Sequence, residues 1–150
     1  MSKIVVGIVG TRGIPNRYGG FEELAEVLST GLVERGFEVH VYNPHDHINQ
    51  NNIWHGVHII HKNNPEFLGG LGPLIYDLNC LWHCRKQRYD VVIQLGYGTS
   101  ALWSYLVPAK TKIVTNMDGL EWRRAKYGFI ARIFLKISER LAIYRSNFLV

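Results

Sequence analysis

Between the apolar run Ile4 to Val9 and a segment of helical periodicity starting at Phe21 lies the stretch "GTRGIPNRYGG". This succession of strand, glycine-rich loop and helix restricts the fold more than any other feature of the chain. Ile4 to Val9 is β-branched and apolar on both faces, as expected of a strand covered on both sides in a parallel sheet. Phe21, Leu24, Ala25, Leu28 and Leu32 then recur at helical spacing, Glu22, Glu23 and Glu26 crowd the first turns, and Gly36 ends the run. A helix is therefore expected over Phe21 to Arg35. Phe37 to Tyr42 reads as the next strand, which completes one βαβ unit.

The alternation continues to the end of the chain. A polar stretch rich in His and Asn (Asn43 to His55) precedes a short strand at Val57 to Ile60, a helix over Leu74 to Arg88 and an apolar strand at Asp90 to Leu95. A short helix (Ser100 to Val107), a strand (Lys112 to Thr115), a long helix (Phe129 to Arg145) and a last strand from Asn147 to Val150 follow. Strands alternating with helices predict an α/β fold with a doubly wound, mainly parallel sheet and helices on both faces. With 150 residues and 47% hydrophobic content the chain is sufficient for one such domain and too short for two. It stops inside "SNFLV", an apparent strand, so the natural product is expected to continue beyond it.

In doubly wound folds ligands sit beyond the carboxyl ends of the strands, where a loop feeding a helix N-terminus suits an anion. Gly10 and Gly13 allow a sharp turn off the first strand, while Gly19 and Gly20 let main-chain amides approach a ligand at the mouth of the helix. Phosphate or sugar contact is the expected use. A dinucleotide cofactor is disfavoured, because Gly7, Gly10 and Gly13 do not have the G-x-G-x-x-G spacing and the second strand ends at Tyr42 and Asn43 without the acid that binds a ribose. A Walker loop is excluded, since no G-x-x-x-x-G-K-[ST] occurs.

Charge is unevenly placed. Residues 119–150 carry Arg123, Arg124, Lys126, Arg132, Lys136, Arg140 and Arg145 against Glu121 and Glu139, so the whole net charge of +5 lies there. An anionic partner near this segment is one reading, and a solvated basic helix face is the other. In the last helix Ile130, Ile133, Phe134, Ile137, Leu141 and Tyr144 form an apolar stripe expected to pack in the core, beside a basic stripe of Arg132, Lys136 and Arg140 that could rest on anionic lipid. Cys80 and Cys84, four apart on a helix, are expected to be buried structural thiols. His45, His47, His55, His58 and His61 lack ligand spacing, and no metal or other cofactor is expected. The early apolar run is too short for a signal-peptide core or a membrane span, so a cytoplasmic location is expected.

Two motifs carry a family resemblance. "IVGTRGIPNRYGGFEELAEVL" and "TNMDGLEWRRAKYG" (Thr115 to Gly128) resemble the N-terminal domain of retaining family-4 glycosyltransferases of the GT-B fold, specifically the bacterial rhamnosyltransferase group. The resemblance spans essentially the whole chain. It implies a Rossmann-like, acceptor-side half of a two-domain enzyme that builds surface polysaccharide from a nucleotide sugar and a saccharide acceptor, carried on a lipid. The donor-gripping half, with its E-x7-E pair, would lie outside these residues, and the isolated domain is expected to be inert.

The resemblance also assigns roles. Gly19 and Gly20, with Arg12 and Arg17, would approach the donor diphosphate, and Asp118 would contact the acceptor or the transferring sugar. Glu121, Arg123 and Arg124 of the same motif would brace it or bind the acceptor. Independently of the resemblance, "GYGTS" follows the fourth strand at the same sheet edge: Tyr97 could stack on a sugar, and Thr99 and Ser100 could hydrogen-bond it, although a glycine turn with a helix cap reads equally well. "NMDG" around Asp118 is likewise ordinary turn chemistry. Two other classes compete with a transferase: a non-catalytic nucleotide- or sugar-binding module, and a nucleic-acid binder, for which pI ≈ 9.3 argues but no binding motif does.

Overall fold

A computed structural model describes residues 3–150. The strands are β1 (Val5–Val9), β2 (Glu38–Pro44), β3 (Ile53–Trp54), β4 (Val57–Lys62), β5 (Val91–Leu95), β6 (Lys112–Asn116) and β7 (Phe148–Leu149). The helices are α1 (Gly20–Glu34), α2 (Gly72–Lys86) and α3 (Phe129–Arg145). All seven strands join one sheet in the order β3-β4-β2-β1-β5-β6-β7. Every pairing is parallel except the short β3 against β4. The chain runs outward from β1 through β2 to β4, then returns to lay β5 on the other side of β1. This reversal opens a crevice at the carboxyl ends of β1 and β5.

Strand alternation sends residues to two cores. Val6, Ile8, Val39 and Val41 meet Ala25 of α1, while Val9, Tyr42 and Val92 meet Tyr76, Cys80 and Leu81 of α2. Helices thus cover both faces, as the doubly wound reading requires. Cys80 and Cys84 are free and buried against the sheet, as expected. Burial raises both thiols well above their ordinary range, Cys84 to about 12, which makes them poor nucleophiles.

Three features differ from the sequence expectation. The segment after β5 is a 3-10 helix, Ser100–Leu106, and further 3-10 turns occur at Glu66–Leu71 and Glu121–Arg123. β3 had no anticipated counterpart. The apolar stripe of α3 is core only in part: Leu141 packs against the Tyr97, Ala101 and Ala142 cluster and Phe134 is half-buried, but Ile130 is 82% and Tyr144 85% exposed, and Ile133 and Ile137 are exposed too. The buried side of α3 instead carries Leu135, Ser138 and Ala142, whose small members let the helix lie close to Tyr97 and Ala101. No described helix is long and apolar enough to cross a membrane.

Candidate functional site

The loop after β1 turns twice in the left-handed region, at Gly10 (φ 84°) and Gly13 (φ 100°), where side chains are disfavoured. Polar groups from elsewhere then pin it. Asn43, fully buried at the end of β2, accepts from Ile14 N–H at 3.0 Å and donates to the Ile14 carbonyl at 2.8 Å. The position that would hold a ribose-binding acid in a dinucleotide site is therefore occupied by a loop clamp. From α1, buried Glu22 accepts from Arg12 N–H (2.8 Å) and the Thr11 hydroxyl (3.3 Å), Glu26 accepts from Asn16 N–H (2.6 Å) and Glu23 from the Asn16 amide (3.0 Å). The acidic first turns of α1 fasten the loop rather than only complementing the helix dipole.

This clamped loop forms one wall of a cleft of about 1330 Å³ beyond the strand ends. That exceeds the roughly 300–1,000 Å³ of a pocket for a drug-sized ligand and leaves room for an extended one. Arg12, Gly19 and Gly20 line it from the β1 loop, Thr99 and Ser100 from the β5 loop, and Asp118, Glu121 and Arg124 from the β6 loop. Gly19 is the N-cap of α1 and no side chain caps the helix, so its first-turn amides remain open to a ligand. The Arg12 guanidinium stacks on the exposed Tyr18 ring, 3.9 Å from its centroid. Arg17 and Arg123 do not line the cleft: Arg17 borders a shallower recess beside Gly19, and exposed Arg123 lies over Trp122 at 5.1 Å.

The β6 loop is built around Asp118, itself left-handed (φ 45°), with Gly119 following at φ 74°. Asp tolerates this conformation better than most side chains. Asp118 N–H donates to the Asn116 side chain at 3.1 Å, and its carboxylate faces Arg124 at 3.7 Å, which also pairs with Glu121 at 3.0 Å. Asp118 thus has both the turn geometry and an exposed carboxylate on the cleft.

Tyr97 needs correction as a stacking residue. Its side chain is buried, packing with Ala101 and Ala142. Its hydroxyl accepts from Glu121 N–H at 2.9 Å and reaches the Gly119 carbonyl at 3.2 Å, so Tyr97 is a post that supports the Asp118 turn. The Ser100 hydroxyl donates back to the Gly96 carbonyl at 3.0 Å. Thr99 donates to Asp77. Among the histidines noted in the sequence, His47 braces the polar loop through Asn43 and Asn49, and His61 of β4 holds it at the Asn49 carbonyl.

Asp77 was missed by sequence reasoning. It lies on α2, lines the cleft and is buried. Its signal was a carboxylate on the same helical face as Cys80, Leu81 and Cys84. Burial raises its pKa from 3.8 to about 6, partly countered by the Thr99 hydrogen bond. Between about pH 4 and 6 the folded state therefore holds more protons than the unfolded state, and this group makes stability fall as pH rises through that window. Asp77→Asn keeps an acceptor for Thr99 and removes the titration. Relative to the parent, the variant should gain on the order of 1–3 kcal/mol at pH 7 but little at pH 4. Urea melts across this range would give a constant difference if Asp77 did not titrate in this way. A buried carboxylate with a raised pKa in a cleft makes Asp77 a candidate functional residue.

The fold is that of an α/β domain with a large cleft at the switch point of a doubly wound sheet. Residues 3–150 match the family described as Domain of unknown function (DUF1972), and the chain belongs to that family. No curated protein matches it significantly.

Proposed function

We propose that this domain is the acceptor-side half of a retaining glycosyltransferase. It would move a hexose, rhamnose in the family-4 reading, from a nucleotide sugar to a saccharide acceptor. The observation that carries this reading is the convergence of the β1, β5 and β6 loops on one cleft, which brings both resemblance motifs together. Domains of this family occur in N-terminal regions associated with glycosyltransferases, which supports the same reading. The open amides at Gly19 and Gly20 and the Arg12 guanidinium would stabilise the leaving diphosphate. Asp118 would orient the acceptor hydroxyl or take up its proton, and Arg124 and Glu121 would hold Asp118 in place.

The exposed side of α3, where Arg132, Lys136 and Arg140 adjoin Ile133 and Ile137, suits an anionic lipid surface and hence a lipid-linked acceptor. The test is transfer from a panel of labelled nucleotide sugars by the natural gene product, with saccharide acceptors free and embedded in vesicles. Labelled product and co-sedimentation with anionic but not neutral vesicles are expected. Absence of transfer across the panel would overturn the enzymatic reading, and equal sedimentation would overturn the membrane contact.

A further inference from the structure

A second group of side chains lies outside the cleft, at the amino-terminal half of β2. Glu38 and His40 are two residues apart on this strand and so project from the same face. The parallel register sets His58 of β4 directly beside His40. His40 Nε2 is 3.1 Å from Glu38 Oε1, and the two imidazole centroids are 5.1 Å apart. One ligand atom from each of the three residues lies within 4.8 Å of the other two. None of the three lines the cleft.

We propose that Glu38, His40 and His58 form a site for a divalent transition metal of the zinc class, clipping β2 to β4 on the α2 side of the sheet. Two imidazoles and a carboxylate are borderline ligands suited to such an ion. Metal–ligand bonds of about 2.0–2.1 Å in a tetrahedron place ligand atoms roughly 3.3 Å apart, close to the existing Glu38–His40 separation. His58 is exposed and Glu38 half-exposed, which leaves a fourth position open to water.

The surroundings of His40 supply what a ligating imidazole needs behind it. With Nε2 on a metal, Nδ1 keeps its proton and donates to the Tyr89 hydroxyl, 3.0 Å away. Tyr89 in turn donates to Tyr42 at 3.1 Å, and Tyr42 to His83 Nδ1 at 2.9 Å. This fixed outer partner is the usual companion of a metal-bound histidine. Without metal, Nε2–H donates to Glu38, and binding must displace that proton.

The experiment is calorimetric titration of the chelator-treated chain with zinc chloride, followed by histidine nitrogen NMR. One zinc per chain is expected. His58→Ala and Glu38→Gln should each weaken binding by about tenfold or more, as should Tyr89→Phe through the outer partner. His45→Ala, on the polar loop, should not. The His40 proton should move from Nε2 to Nδ1 as zinc is added. His58 is at the surface, and circular dichroism of that variant checks that it remains folded. No saturable uptake, uptake undiminished by His58→Ala and Glu38→Gln, or a His40 Nε2 that keeps its proton would each overturn the proposal.

Discussion

Gly10→Ala should destabilise the domain by roughly 3 kcal/mol or more, lowering Tm by about 6–12 °C. Two effects add. Gly10 sits at φ 84°, and a Cβ there would lie 2.4 Å from the Leu95 carbonyl oxygen and 3.0 Å from its amide nitrogen. The obstacle is the backbone of β5, which cannot move aside as a flexible side chain can without opening the β1–β5 pairing. Gly20→Ala is the control, because nothing lies within 4 Å of its added Cβ and its φ is not left-handed. Thermal melts of the two variants should therefore diverge. If Gly10→Ala melted within a degree or two of the parent, the close approach of the loop to β5 would be wrong.

Asp118→Asn should reduce transfer by the natural gene product about 100-fold or more while leaving Tm nearly unchanged. Asn adopts the left-handed conformation as readily as Asp, and its side chain keeps the same size, so the turn at Asn116 to Gly119 persists. The exposed pairing with Arg124 at 3.7 Å contributes little to stability. What the substitution removes is the negative charge and the capacity to accept a proton at the cleft. Initial rates at saturating donor and acceptor separate kcat from KM. A loss confined to KM would make Asp118 a binding group, and activity within a few-fold of the parent would reduce it to a turn residue.

The parts of this molecule that were legible in the sequence are those set by local chemistry. Apolar β-branched runs became β1, β2, β5 and β6, and glycine spacing located the turn at the strand end. Side-chain roles that depend on distant partners were not legible. Asn43 reads as a strand-end residue until Ile14 is seen against it, and Glu22 reads as a helix-dipole complement until the loop folds back onto it. Tyr97 follows a glycine after a strand, where an exposed ring is plausible, yet packing against α3 buries it. In α3 the hydrophobic pattern pointed to one face and the fold buried the adjacent one, because small residues at Ser138 and Ala142 permit closer contact than the isoleucines would. His40 and His58 belong together only through the β2–β4 register, which no local pattern encodes.

The most direct test of the central claim, that the cleft at the carboxyl edge of the sheet is the ligand site, is a backbone amide NMR titration. Nucleotide sugars and short saccharides would be titrated separately into the domain at millimolar concentration, where weak binding is visible. Shifts concentrated at Gly19, Gly20 and Phe21 with nucleotide sugars and at Thr99, Asp118 and Gly119 with saccharides are expected. Saturating titrations that leave these amides unmoved, or shifts gathered on another face of the domain, would contradict that claim.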